Sequence, residues 1–397
     1  MDYKQAFFSV VIPTKNRPRY LDDAIRSVLS QDFDDFELIV SDNFNSSETF
    51  EVIEKYTENP RLKYFRTSEE LHMLDHWEFA TLKATGKYVI VLTDRKLLYK
   101  DALKKLKKEI QKYPDINIFS VRVKTYDECA QKMGWSAPSI QTRSFNFKEA
   151  MDSFLNRHLF EAEGNLDYYF PKSQNGVYSN SYASKIREKH GFYFNLPHVS
   201  TPDYSSFFVN MALSNKFVHL NIPVILTQGE NVSNGRQFGR GNIEKYLGSL
   251  EKERLYSKVQ LKLPYIYNLI TNDFLEIKDQ VKGNLETLQI NKSNYYRCLY
   301  WEYFQQCDPA YVSKSSEQYT IWEKSLLNEE KSTQEDVYLY VKNLNSITGE
   351  KPRFKFRNIG THITDFLNHR FSKYTFCNKL LKHRFTSALD AAGFTNM

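Results

Sequence analysis

Three polar clusters in this 397-residue chain each stand one to three residues behind an apolar run. Asn16 and Arg17 follow Phe7–Ile12 (FFSVVI), Asp42 and Asn43 follow Phe36–Val40 (FELIV), and Asp94, Arg95 and Lys96 follow Tyr88–Leu92 (YVIVL). These side chains are carboxylates and amides that exchange hydrogen bonds, beside cations that can pair with an anion. Short apolar runs of this kind read as strands buried on both faces, and ligands of open α/β sheets bind at the C-terminal ends of such strands. A single charged strand end could simply run into a solvated loop. Three that converge on one edge from separate strands point to a binding site.

The elements that would hold these clusters alternate. Leu21, Ala24, Ile25, Val28 and Leu29 recur at helical spacing after the first strand. Further helices are expected over 46–56, over 71–84 with Gly86 as terminator, and over the Lys-rich stretch 101–112; further strands are expected at 62–65 and 116–123. Strand–helix alternation through the first 125 residues predicts an α/β fold, a mostly parallel sheet with helices on both faces. Pro13 and Pro18 bracket the first turn and are expected to end ladder pairing there. Residues 126–200 carry scattered glycines and prolines and predict loops and short elements. A helix is then expected from Asp203, or just after it, to Leu213, followed by an edge or bulged strand Val218–Thr227 broken by Pro223, and a polar loop through Arg236. From about Asn242 strand signals vanish, and 242–282, 291–306, 309–328 and 332–347 read as helices, so the expected division is an α/β domain over 1–238 and an all-α domain over 239–397.

Composition excludes several classes. A net charge of +6 is mild for this length and does not fit a dedicated nucleic-acid binder. Four scattered cysteines without a CxxC pair indicate neither a zinc site nor a disulfide framework, which fits a reducing cytosol. There is no signal-peptide pattern and no 18-residue apolar stretch, so a cytoplasmic protein is expected. Within 351–384 nine Lys or Arg face one acid, Asp365, with aromatic and leucine residues interleaved. Such a segment can lie on anionic lipid, so 351–397 is a candidate contact with the inner face of the plasma membrane; the alternative is a helix packed on the body with a solvated basic face. Neither GxGxxG after the first strand, nor a P-loop, nor GxSxG, nor HExxH is present.

The first turn carries a family resemblance. FFSVVIPTKNRPRYLDDAIRSVLSQDFDDFELIVSDN resembles the opening of a family-2 glycosyltransferase of GT-A fold: strand, P-T-x-N-R, a helix ending S-x-L-x-Q, then F-E-x-I-V-x-D. GKYVIVLTDRKLL resembles the family's G-x-Y, strand, L-x-D-x-D stretch, and TPDYSSFFVNMAL its E-D-aromatic catalytic segment. The likeness covers about residues 1–235 and does not extend into the helical remainder. It implies a GT-A nucleotide-sugar-binding catalytic domain that moves a hexosyl or N-acetylhexosaminyl group, with inversion, from a nucleotide-diphosphate donor (a UDP-sugar is favoured). The acceptor would be a hydroxyl of a glycan or lipid-linked glycan in bacterial surface-polysaccharide synthesis.

Carried onto this chain, the resemblance places Pro13, Thr14, Asn16 and Arg17 around the base and ribose. It makes Asp42, with Asn43 beside it, the acceptor of a hydrogen bond from the base. Thr93, Asp94 and Arg95 fall in the diphosphate neighbourhood, Arg236 and Arg240 on a loop that folds over the donor, and Asp203 at the general base. Each has a plainer alternative: a turn Asp for Asp42, pairing with nearby acids for Arg17, surface charge for Arg236 and Arg240, a helix N-cap for Asp203. Two departures matter. Pro202 stands where the family often has Glu, and Thr93-Asp94-Arg95-Lys96 stands where it supplies several carboxylates to Mg²⁺ or Mn²⁺. Asp94 is the one metal ligand left, and adjacent cations repel a divalent ion, so weak or absent metal dependence is expected. Asp32-Phe33-Asp34 is a literal D-x-D at the wrong sheet edge. The lost carboxylates also motivate a rival expectation, a catalytically silent donor-binding or scaffold module.

Overall fold

The computed structural model describes residues 5–44, 47–136, 138–157, 166–229, 255–306, 312–347, 385 and 387–394. In chain order the first elements are β1 (Phe8–Thr14), α1 (Pro18–Leu29), β2 (Phe36–Asp42), α2 (Ser47–Glu54), β3 (Leu62–Arg66), α3 (Met73–Thr81), β4 (Tyr88–Val91), β5 (Lys96–Leu98) and α4 (Ala102–Ile110). Then come β6 (Ile118–Asp127), β7 (Lys132–Ser136), β8 (Arg143–Asn146), α5 (Phe147–Asn156), β9 (Gly176–Ser179), α6 (Asn180–His190), α7 (Pro202–Leu213) and β10 (Lys216–Thr227). All ten strands form one sheet in the order β3-β2-β1-β4-β9-β6-β10-β5, with β7 on β6 and β8 on β10.

The alternating first half behaves as its pattern requires. β1, β2 and β4 are buried along their whole length, and β3, β2, β1 and β4 pair in parallel. Helix α1 buries Leu21, Ala24, Ile25 and Val28, and α4 buries Ala102, Leu103, Leu106 and Ile110 while Lys104, Lys105 and Lys108 face solvent. These residues join the strands in one apolar core. β6 and β10 form a second parallel ladder, irregular around Pro223.

Three local expectations are corrected. β1 does not stop before Pro13 but runs to Thr14, in register with Ser41 and Asp42. Val11 O accepts from Leu92 N, and Thr14 O accepts from Asn43 N. By alternation, the N–H that Pro13 lacks would point to the β4 side, where the ladder has already ended at Val91, so no bond is lost. Helix α3 ends at Thr81, well before Gly86. Gly86 instead serves close approach: a Cβ there would lie 2.7 Å from Ser9 N, and its own N–H reaches Ser9 Oγ at 2.8 Å. The span 126–200 is more regular than its punctuation suggests, because β9 inserts antiparallel between β4 and β6 and bridges the two parallel ladders.

The later helices are α8 (Ile266–Val281), α9 (Lys292–Gln306), α10 (Val312–Leu326), α11 (Lys331–Ile347) and the short α12 (Ala388–Ala391). Of the expected 242–282 helix, only 266–281 is helical among the described residues. The expected 238/239 boundary falls outside the described residues; contacts divide the chain into Met1–Gln289 with Thr386–Met397, and Ile290–Phe385. Helix α8 belongs to the first unit because it packs on α7. Phe154, Phe208 and Phe274 form a triad with ring centroids 4.8 to 5.6 Å apart. α12 also returns to the first unit, where Ala392 O accepts from Lys100 N at 3.0 Å. Within the second unit Trp322 donates to Tyr296 O at 3.1 Å, and Tyr300, Tyr303 and Tyr319 cluster around that pair. Among the described residues no helix is long and apolar enough to cross a membrane, and 351–384 lies outside them.

Candidate active site

The C-terminal ends of β1, β2 and β4 meet. Thr14, the last residue of β1, donates from Oγ1 to Asp94 Oδ2 at 3.1 Å, and Arg17 Nη1 reaches Asp94 Oδ1 at 3.2 Å. Arg17 stands just before α1, whose first residue is Pro18, and Asn16 turns the chain through a left-handed φ of 56°. Asp94 is buried. Burial pushes its carboxyl up, while Arg17, Thr14 and Arg95 pull it back without cancelling the shift. Thr93 O accepts from Lys96 N at 2.8 Å, which closes a tight turn at Asp94-Arg95 and sends the chain into β5.

The two cations after Asp94 point to protein partners. Arg95 Nη1 donates to Gln228 O and Gly229 O at 3.1 and 3.0 Å and so anchors the chain beyond β10. Lys96 is buried, and its Nζ donates to Gln174 O at 2.6 Å and to Gln174 Oε1 at 3.1 Å.

Asp42 ends β2. Its Oδ2 accepts from Tyr64 OH at 2.9 Å and lies 4.0 Å from Arg66 Nε. Asn43 serves its own chain: its amide donates to Leu71 O and accepts from Leu71 N, both at 2.8 Å, which makes it a clamp on the 67–71 loop. Phe44 follows with φ 49° and half its surface exposed, and Arg66 lies 5.7 Å from its ring. A bulky residue in that backbone region costs about 1 kcal/mol, and no sequence pattern announced it.

Asp203 comes to the same neighbourhood from α7. It is not the N-cap; Thr201 holds that position and Pro202 the first helical one, so Asp203 lies in the first turn. Ser173 Oγ donates to its Oδ1 at 3.1 Å, and the Gln174 amide donates to its Oδ2. Burial raises the Asp203 carboxyl above the ordinary range, and Lys96, Lys172, Ser173 and Gln174 draw it partly back. Behind it, Lys172 pairs with Asp167 at 2.9 Å and sits over the Tyr204 ring, whose hydroxyl donates to Asp167 at 2.7 Å. A second carboxylate fixes the approach to the helix: Asp273 of α8 accepts from Ser200 N, Ser200 Oγ and Thr201 N at 2.8, 3.0 and 2.8 Å, and from Thr201 Oγ1.

The structure thus joins Thr14, Arg17, Asp94, Arg95 and, through Lys96, Asp203. It keeps Asp42 at the adjacent strand end, turns Asn43 inward, and shows Pro13 as buried strand. Arg236 and Arg240 lie outside the described residues. Lys172, Ser173, Gln174 and Asp273 escape a reading of motifs. The dense polar run K-S-Q-N before Gly176, between apolar YYFP and VYS, is the one signal that could have drawn attention to the first three.

A divalent ion fits this set poorly. No group of three or more His, Cys, Asp or Glu is arranged to hold a metal among the described residues. Both oxygens of Asp94 are engaged, one by a guanidinium that a metal would have to expel. Asp32 and Asp34 pair at the surface with Lys104 and Arg61.

The profile of Glycosyl transferase family 2 matches residues 9–165. The chain is 31% identical over 116 residues to protein CgeD of Bacillus subtilis, covering 27% of each chain. It is 45% identical over 58 residues to the GalNAc(5)-diNAcBac-PP-undecaprenol beta-1,3-glucosyltransferase of Campylobacter jejuni, 14% of this chain and 19% of that one. To the poly(ribitol-phosphate) beta-N-acetylglucosaminyltransferase TarS of Staphylococcus aureus it is 29% identical over 100 residues, 24% of this chain and 18% of the relative. The matches therefore span at most about a quarter of these relatives' length. The crystal structure of S. aureus TarS 1–349 is a loose likeness, with a TM-score of 0.46 at 15% identity over 88% of this chain and 94% of that one. The family match is thus confined to residues 9–165 of this chain.

Proposed function

We propose that this protein transfers a sugar, with inversion, from a UDP-sugar to a hydroxyl of a glycan or lipid-linked glycan acceptor in surface-polysaccharide synthesis. The observation that carries the reading is the hydrogen-bonded path Lys96–Gln174–Asp203. It ties the turn that follows Asp94, within the family-2 domain, to a carboxylate of raised proton affinity.

Asp203 is the base. The acceptor oxygen attacks the anomeric carbon, its proton passes to Asp203, and the bond to the diphosphate breaks with its electron pair on the leaving group. Asp42 accepts from an N–H of the base. Arg17, held over Asp94, offers cationic charge to the departing diphosphate in place of a metal. Relatives add direction: TarS and the Campylobacter enzyme are named as an N-acetylglucosaminyl- and a glucosyltransferase, and TarS 1–349 has been crystallised with UDP-GlcNAc. UDP-GlcNAc and UDP-glucose are therefore the donors to try first.

Thermal unfolding of the full chain with UDP, UDP-GlcNAc and UDP-glucose tests the reading, since a ligand of the native state raises the midpoint. No shift with any of them overturns it. A shift without sugar transfer or UDP release would favour the silent donor-binding module.

A further inference from the structure

The base in this site is covered. Gln174 donates its side-chain amide to Asp203 Oδ2, and Ser173 Oγ holds Oδ1. Gln174 is gripped from the other side by Lys96, which bonds both its main-chain carbonyl and its side-chain Oε1. The loop that presents it is built tightly. Asn175 N donates to Lys172 O at 2.9 Å, Ser173 N donates to Ser206 Oγ at 3.2 Å, and Ser173 Oγ donates to Pro202 O at 3.2 Å. Gly176 permits the closure: a Cβ there would lie 2.8 Å from Lys172 O. Ser173, Asn175 and Gly176 are buried, while Gln174 keeps partial exposure.

We propose that Gln174 is a specificity residue that decides between sugar transfer and donor hydrolysis. Its amide N–H occupies the Asp203 oxygen that must receive the nucleophile's proton. An acceptor glycan brings several hydroxyls and can replace the bonds of this amide to Asp203 and Lys96 together; a single water cannot, and would leave polar groups unsatisfied. The base is uncovered when the correct acceptor arrives and stays covered when only donor is bound. The inference rests on Asp203 being the base.

The two reactions balance in the same way. In transfer, the acceptor oxygen bonds to the anomeric carbon, the carbon–oxygen bond to the diphosphate breaks with its electrons on UDP, and the acceptor proton goes to Asp203. In hydrolysis, water supplies the oxygen and the proton, and the products are free sugar and UDP.

The test is UDP release without acceptor, from UDP-GlcNAc and UDP-glucose, by the wild-type full chain and by Gln174→Ala, the near-isosteric Gln174→Met, Asp203→Asn and the double variant Gln174→Met/Asp203→Asn. Circular dichroism and the UDP-induced midpoint shift confirm that each is folded and binds. Both Gln174 variants should release UDP about tenfold faster than wild type, the equivalent of one lost hydrogen bond. Adding Asp203→Asn should remove that gain. Folded, UDP-binding Gln174 variants with unchanged or slower release overturn the inference while Asp203 remains the base. A gain that survives Asp203→Asn overturns the base assignment itself. If neither Gln174 variant folds, Gln174 is a structural residue and the inference is likewise overturned.

Discussion

Asp94 and Asp203 are both aspartates pressed into low-dielectric surroundings beside one turn, yet their escorts differ. Asp94 meets a guanidinium directly, from Arg17, with the Thr14 hydroxyl on its second oxygen. Asp203 meets neutral donors, Ser173 and Gln174, and Lys96 stands one hydrogen bond behind them. Burial raises both carboxyls; a directly bonded guanidinium opposes it at Asp94, and lysines farther off oppose it at Asp203. A carboxylate held by neutral groups exchanges its partner for a proton at less cost. On the proposed reading, the difference separates a donor side that holds charge from an acceptor side that moves a proton.

The most severe way to break this comparison is Asp203→Asn. It should lower kcat by about 10²- to 10⁴-fold and leave the UDP-induced midpoint shift intact; equal loss of binding would put Asp203 on the donor side. Next is Asp273→Ala, which strands the donors of Ser200 and Thr201 that set the start of α7. A loss of about 3 kcal/mol is expected in urea unfolding, from buried donors left unpaired. Burial also pushes Asp273 up to about 7. Its unfolded value is near 4, so the native state holds an extra proton between the two. The stability this contributes is full below about pH 4 and is lost as pH rises through about 7, and Asp273→Asn should flatten that slope in pH-dependent unfolding curves.

Asp94→Ala should cost about 2 kcal/mol, because it removes the Arg17 ion pair and the Thr14 hydrogen bond at a buried site. It should also weaken UDP binding, and a variant that binds UDP normally would remove Asp94 from the donor side. Lys96→Met takes away a charge that lowers the Asp203 value, so the acidic limb of kcat should move to higher pH; an unmoved limb would show that Lys96 acts on Gln174 alone. The smallest effect is expected from metal. UDP-induced shifts should match in EDTA and in Mn²⁺, and a large Mn²⁺-dependent gain would show that a metal displaces Arg17 from Asp94.

The strand-end cluster proposed as the donor side was legible because its parts lie at the ends of apolar runs within the first hundred residues. Pro13-Thr14, Asp42 and Asp94 sit where strand alternation puts them, and parallel pairing of β1 with β2 and β4 brings them together. Of the cluster around α7 only Asp203 was singled out beforehand, and that through a family likeness. Ser173 and Gln174 come from a loop whose composition says turn and no more, and Asp273 from a helix beyond the matched domain.

The sequence by itself determined which residues form buried strands, which edge of the sheet collects polar groups, and that two cations follow Asp94. Periodicity and local chemistry settle such matters within a few residues of chain. Tertiary structure alone decided where those cations point. Arg95 turns to the carbonyls of Gln228 and Gly229, and Lys96 turns to Gln174 and through it to Asp203. The partners are separated by 133, 134, 78 and 29 residues, and long-range pairing of that kind is fixed by which strands the sheet places side by side rather than by any local pattern.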